Sequence, residues 1–310
     1  MQIFNSIEAF QTDKKTIATI GTFDGVHIGH QKIIEKLISN TYDIQYQSVI
    51  LTFFPHPRMI LQKDTNLKLL NTIDERAALL QKTALHNLII HPFDAKFAQL
   101  SAEEFVKNIL VDKLNIHKII IGHDHRFGRN RTANIDDLIV FGEKYNFEVE
   151  QISAQEIEEV SVSSTKIRTA LGNGAINLAN EYLGYHYFLT GIVQSGKQLG
   201  RTIGFPTANL KIEEDYKLIP KEGVYIVKSN LNNHTVYGMM NIGTNPTVEG
   251  TTQSLEIHYL DFEGDLYDQK IEVALLHYIR PEQKFESVAL LKSQLESDKK
   301  QTLTYIKSLS

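Results

Sequence analysis

Over the first 182 positions, apolar residues come in two alternating textures. Short β-rich runs, TIATIG, SVILTFF, LIIHPF and HKIIIG, are separated by stretches in which apolar residues recur at helical spacing: HQKIIEKLIS, DERAALLQKTAL, AEEFVKNILVDKL and IDDLIVFGEKY. Apolar strands alternating with helices of that length predict a parallel sheet covered on both faces. In doubly wound sheets ligands bind beyond the carboxyl ends of the strands. Function is therefore expected just after TIATIG, SVILTFF and HKIIIG, where the residues are polar.

After the helical stretch TKIRTALGNGAINLANEYLG the texture changes. YFLTGIV, GVYIVKS, VYGMMNIG, SLEIHYLDF and KIEVALLHYI carry β-branched and aromatic residues, partly in alternation, between Gly, Asn and Asp turns. That pattern predicts an antiparallel sheet or small barrel, and divides the chain into domains at 1–184 and 185–310. The tail, FESVALLKSQLESDKKQTLTYIKSL, has helical spacing, with Phe285, Val288, Leu291, Leu295 and Leu303 as an expected apolar stripe. A closing helix packed on the barrel is expected.

Composition narrows the chemistry. The 310 residues carry 32 Lys and Arg against 37 Asp and Glu, a formal charge of −5, which argues against a protein built for nucleic acid or an anionic membrane. There is no cysteine, so disulfides, thiolate metal sites and cysteine nucleophiles are excluded, as suits a reducing cytoplasm. The chain starts without a basic segment followed by an apolar one, and no long apolar run occurs, so neither a signal peptide nor a membrane span is expected.

Two constellations carry chemistry. GTFDGVHIGH, Gly21 to His30, follows an expected strand and enters a helix. His27 and His30, three residues apart, can share a face of the first turn beside unpaired backbone N–H groups that favour an anion. Such a cradle can bind a triphosphate and stabilise the charge that develops as pyrophosphate leaves. No Walker lysine accompanies it. The plain alternative is a glycine-shaped turn with capping histidines. VSSTKIR, Val162 to Arg168, sets hydroxyls at a helix start with Arg168 close behind, suited either to capping or to a polyphosphate.

The second constellation is GKQLGRTIGFPTANL, a glycine-rich loop containing Gly200 that runs into Thr207 and Asn209. Their side-chain oxygens are hard ligands of the kind Mg²⁺ accepts. Glu256 in LEIHYLDF alternates with Leu255 and Ile257, so it should share one side of a strand with His258. A carboxylate there can take a proton from an attacking hydroxyl, or it can simply face solvent.

GTFDGVHIGHQ, TFFPHP, GHDHRFG and VSSTKIR, in this order, resemble the adenylyltransferase domain of the bacterial bifunctional riboflavin kinase/FAD synthetases. GFPTANL, GVYIVK, NIGTNPTV, LEIHYLDF and YIRPEQKF resemble the kinase domain of the same family. The resemblance implies an α/β chain: a Rossmann-like nucleotidyltransferase domain, then a small antiparallel β-barrel kinase domain with a C-terminal helix. It implies that riboflavin is phosphorylated to FMN with MgATP and that FMN is adenylylated to FAD, in the cytoplasm, with no nucleic-acid or membrane partner.

By the same resemblance His27, His30, Ser164, Thr165 and Arg168 would hold ATP in the first domain, with Phe23 and Gly25 beside its adenine or ribose. Asp124, Arg126 and Phe127 would serve the flavin and its phosphate. In the second domain Gly200, Thr207 and Asn209 would bind MgATP, Glu256 would be the catalytic base, and Arg280, Glu282 and Phe285 would line the flavin. Two departures from the family pattern stand out: His125 where an aromatic is usual, with NRTANIDDL replacing a Gly- and acid-rich stretch, and Asp268 where a glycine usually follows the tyrosine. Two rival readings follow: a riboflavin kinase with an impaired adenylyltransferase half, and a flavin- or nucleotide-sensing binding protein.

Overall fold

Six parallel strands make the sheet of the first unit: β1 (Gln2–Phe4), β2 (Lys15–Ile20), β3 (Tyr46–Phe53), β4 (Asn87–His91), β5 (Ile116–Gly122) and β6 (Glu148–Ile152), ordered β1-β4-β3-β2-β5-β6. The structure, a computed structural model, describes residues 1–41, 43, 45–62, 66–122, 126–152, 162–196, 199–247 and 250–309. Alternate residues of the central strands serve two cores. Ala18, Val49, Leu51, Ile119 and Ile121 face one way, against Phe105, Leu110 and Leu138; Ile17, Ile50 and Ile120 face the other, against Ile34, Leu37 and Leu80. Burial on both faces is why these strands read as unbroken apolar runs.

From β2 the chain builds outward through β3 and β4, then returns to the other side of β2 for β5 and β6. The reversal opens a crevice past the carboxyl ends of β2 and β5, the place where such sheets bind ligands. The segment expected to be one helix from Ala102 is a single α-turn, Ala102–Glu104, running into a π-helix, Phe105–Val111. β1 and β6 carried no strand signal, the first being three residues long and the second a polar edge strand whose only buried residue is Ile152.

The second unit is a closed antiparallel barrel of β7 (Phe188–Gln194), β8 (Ala208–Lys211), β9 (Gly223–Leu231), β10 (His234–Thr247), β11 (Gly250–Tyr259) and β12 (Lys270–Arg280), in the order β10-β11-β8-β7-β12-β9. Contacts divide the chain into Met1–Ser164 and Thr165–Ser310, earlier than the change of texture at 184/185. The reason is local. The Lys221 amide donates to the Leu171 carbonyl at 3.0 Å, and the Asn180 side-chain amide donates to the Leu275 carbonyl on β12 at 3.0 Å. The helices Ser164–Gly172 and Ile176–Leu183 are thereby tied to the strands that follow.

The closing helix, Val288–Ser308, is present, with Ser287 as its N-cap, but its buried stripe differs from the expected one. Val288 and Leu303 are exposed, and the buried face carries Leu291 and Leu295 partly, with Asp298 and Thr302 fully. The helix is held by an ion pair as well as by apolar contact, so the position of the stripe could not be read from apolar residues alone. Among the described residues no helix is long and apolar enough to cross a membrane.

Candidate active sites

In the first unit the loop between β2 and the helix Ile28–Ser39 takes a costly path. Phe23, Gly25 and Val26 have φ of 47°, 90° and 38°, and two of the three are not glycine. His27 is the helix N-cap, its Nδ1 accepting from the His30 amide at 3.4 Å. The His27 and His30 rings stack with centroids 3.6 Å apart and planes 18° from parallel, and the Phe23 ring lies 5.0 Å from His30. Gly29 permits this arrangement, since a Cβ there would come within 3.3 Å of the His27 ring.

Burial pushes the His30 ring well below its ordinary titration range, with the charges of His27 and Arg76 adding to the effect. Its Nδ1 is buried with no hydrogen-bond partner. A neutral His30 imidazole at a helix N-terminus can donate a hydrogen bond to an anion without first being desolvated as a cation. The Ser164 hydroxyl donates to the Asp24 carbonyl at 2.9 Å, fixing that residue on the same loop. Thr165 and Arg168 fall in the second unit, the first exposed and the second half-buried.

Beyond the strand ends of the same unit lies a cavity of about 370 Å³. Phe53, Phe93, Phe97, Phe105 and Phe127 give it an apolar wall, and Arg58, Arg126 and Arg131 also line it. Aromatic surface beside guanidinium groups suits a flat heterocycle that carries a phosphate. Arg126 and Phe127 both line this cavity, whereas Asp124 and His125 lie outside the described residues. The π-helical turn brings Phe105 into this wall, a use such turns often have.

In the barrel, Glu256 on β11 sits opposite Asn209 of β8 and Asn241 of β10. Leu255 and Ile257 are buried in the barrel, and Glu256 and His258 line a cavity of about 310 Å³ on its outer side. The alternation expected for LEIHYLDF is therefore present. Gly200, Thr207, Arg280, Glu282 and Phe285 line the same cavity. The Asn241 amide donates to Glu282 Oε1 at 3.3 Å, and His258 Nδ1 lies 2.9 Å from the Pro206 carbonyl. Burial lowers the His258 pKa, opposed by that carbonyl.

Thr207 also lines a second cavity of about 300 Å³, with Ala208, Tyr259, Phe262 and Tyr267. Asn209 lies against Gly196, where a Cβ would overlap its carboxamide. No group of three or more His, Asp or Glu side chains among the described residues could hold a metal ion. Two neutral oxygens from Thr207 and Asn209 fit a Mg²⁺ that keeps its waters and is held mostly by phosphates.

The motifs missed three residues. Asp24, 1% exposed, accepts from the Leu70 amide at 2.9 Å and pairs with Arg76, also 1% exposed, at 3.6 Å. Asp298, fully buried, grips Arg280. The signal for Arg76 was its register, three residues after Ile73 and four before Leu80, on the face of the helix Ile73–Gln81 that turns inward.

The family described as FAD synthetase matches residues 9–166, and the one described as riboflavin kinase matches residues 183–306. A bifunctional riboflavin kinase/FMN adenylyltransferase from Listeria monocytogenes is 36% identical over 300 residues, spanning 96% of this chain and 95% of its own. One from Buchnera aphidicola subsp. Schizaphis graminum is 40% identical over 294 residues, 92% of each. The crystal structure of a macrolide-efflux protein from Streptococcus pneumoniae superposes with a TM-score of 0.86 at 29% identity, covering 97% of this chain and 98% of that one.

Proposed function

The chain belongs to the family of bifunctional riboflavin kinase/FMN adenylyltransferases, and from that premise we propose how its residues divide the chemistry. It is a riboflavin kinase and an FMN adenylyltransferase, with riboflavin, FMN and ATP as substrates. The two ordered family matches carry that statement; the efflux designation of the superposed crystal structure belongs to that protein.

In the kinase reaction Glu256 accepts the proton of the ribityl 5′-hydroxyl as its oxygen bonds to the γ-phosphorus of ATP, and the bond to the β–γ bridging oxygen breaks to release ADP. The supporting observation is that Gly200, Thr207, Glu256, Arg280, Glu282 and Phe285 all line one cavity. Thr207 and Asn209 would hold a Mg²⁺ that, when bound, neutralises phosphate charge. Arg280, Glu282 and Phe285 orient the flavin. Because Thr207 borders both barrel cavities, we place the adenosine of ATP in the one with Tyr267, its phosphates beside Thr207 and Gly200, and the flavin beside Glu256 in the other.

In the adenylyltransferase reaction a phosphate oxygen of FMN attacks the α-phosphorus of ATP and pyrophosphate leaves. An ionised phosphate needs no strong base, so positioning and charge stabilisation supply the rate. His27 and His30 contact the triphosphate at the helix N-terminus, with Phe23 and Gly25 shaping the loop. Ser164, Thr165 and Arg168 are assigned to ATP on the strength of VSSTKIR, and Asp124, Arg126 and Phe127 to FMN on that of GHDHRFG. The activities are assigned to 1–184 and 185–310, and the enzyme to the cytoplasm, where ATP is made.

The test is chromatography of products after incubation with riboflavin, ATP and Mg²⁺. FMN followed by FAD is expected. FMN alone would overturn the assignment of a working first unit in favour of the impaired-half reading, and bound ligand without product would favour a sensor.

A further inference from the structure

The phosphate loop holds a conformation that its own residues disfavour. Phe23 and Val26 are left-handed, at φ 47° and 38°, on either side of Asp24 and Gly25. Left-handed non-glycine residues cost on the order of 1–3 kcal/mol each and persist only where their surroundings over-determine them. The clamp that does so has a centre. The Arg76 guanidinium, 1% exposed, reaches the loop on both sides of Phe23. Its Nη2 pairs with the Asp24 carboxylate at 3.6 Å. Its Nη1 donates to the Thr52 hydroxyl at 3.4 Å, and that hydroxyl donates to the Thr22 carbonyl at 3.1 Å.

Asp24 adds further fixed points, accepting from the Leu70 amide at 2.9 Å and the Asn71 amide at 3.3 Å. The Phe23 ring so held lies 5.0 Å from His30, which stacks on His27. A buried ion pair is a poor way to gain stability, because desolvation offsets most of the attraction. A guanidinium that reaches a carboxylate through one nitrogen and a hydroxyl through another, even at these longer distances, can set the loop's geometry without binding it tightly.

We propose that Arg76 is a positioning residue for adenylyl transfer, clamping Thr22 and Asp24 so that Phe23 holds the His27–His30 pair where the triphosphate reacts. This rests on the assignment of those histidines to ATP. Arg76 acts through the loop.

The test uses the full chain and its two activities. In R76M, FAD formation from FMN and ATP should fall about a hundredfold in kcat, the scale of an ångström-sized misplacement. KM for FMN should stay within about threefold, because the clamped loop touches the flavin cavity only through Gly21 and Thr22, and most of the wall, from Phe53 to Arg131, comes from other elements. FMN formation from riboflavin should be unchanged. R76K restores the charge but not the fork, so kcat should recover only partly, to about tenfold below wild type. Thermal melts of each variant report whether the first unit folds.

Wild-type kcat in R76M would overturn the proposal. So would a loss in R76M that follows the melting curve with KM for FMN rising in step, which is what a merely structural arginine predicts. Should R76M fail to fold, R76K decides alone: a slowed kcat with unchanged KM supports the clamp, and a wild-type kcat overturns it. A wild-type chain that forms no FAD from FMN would refute the assignment of the histidines to ATP and this proposal with it. That result is separable from the others, because it appears before any substitution.

Discussion

Arg280, at the end of β12, is held edge-on by Asp298 of the C-terminal helix: Nε donates at 3.0 Å and Nη2 at 2.8 Å, and Asp298 also accepts from the Gln294 amide at 2.8 Å. The carboxylate is fully buried, and the Arg280 side chain is partly buried, at 16% exposed. The helix therefore forms part of the wall of the cavity that Arg280 and Phe285 line. Removing one partner of a buried pair strands the other.

Asp298→Ala should destabilise the barrel unit by about 3–5 kcal/mol and raise KM for riboflavin more than KM for ATP. FAD formation from supplied FMN should persist. Calorimetry and steady-state kinetics on both activities check this.

Gly196→Ala should separate stability from catalysis. A Cβ there overlaps the Asn209 carboxamide, the movable end of a side chain, so it can shift at little cost to the fold. The shifted amide leaves its place beside Glu256, and kinase kcat/KM for MgATP should drop about tenfold, or roughly 1.4 kcal/mol. Thermal midpoints and ATP titrations read the two effects.

The departure at Asp268 is accommodated by the backbone. Asp268 has φ of 60°, the conformation a glycine takes freely, and its amide still donates to the Val193 carbonyl at 2.9 Å. Asp268→Gly should change stability by no more than about 0.5 kcal/mol, strain relief being offset by unfolded-chain entropy. Asp268→Val, β-branched at a left-handed position, should cost about 1–2 kcal/mol. Chemical denaturation of the two variants distinguishes them.

His30 makes the first unit acid-sensitive. His30 titrates well below 6.5 when folded because it is buried, and then because His27 and Arg76 are beside it. As pH falls below that ordinary value the unfolded chain takes up the proton and the folded one does not, so this contribution to stability is lost toward acid and is fully present above pH 6.5. His30→Asn should flatten the acid limb of the melting temperature relative to wild type. An unchanged slope would show that His30 does not carry it.

How much of this was legible depended on how local each cause is. The central strands read correctly because both their faces are buried, as Ile17 and Ala18 are on opposite sides of β2. His27 and His30 lie at the helix start, and Glu256 on the strand face, that spacing alone predicted. Asp24, Arg76 and Asp298 were not legible, since a charge becomes structural only when its partner arrives from a distant segment. Asp298 lies 18 residues from Arg280 in sequence, and nothing in LESDKKQTL marks it out from its solvated neighbours. The expected stripe failed at Val288 and Leu303 for the same reason, because a buried carboxylate occupies part of the face that apolar residues were expected to define.

The central claim is two independent sites in one chain, and paired single substitutions test it most directly. His30→Ala and Glu256→Ala are each assayed for FMN formation from riboflavin and for FAD formation from supplied FMN. The account predicts that His30→Ala loses FAD formation and retains FMN formation, and that Glu256→Ala does the reverse. Loss of both activities from either single change, in a chain that still melts cooperatively, would contradict it.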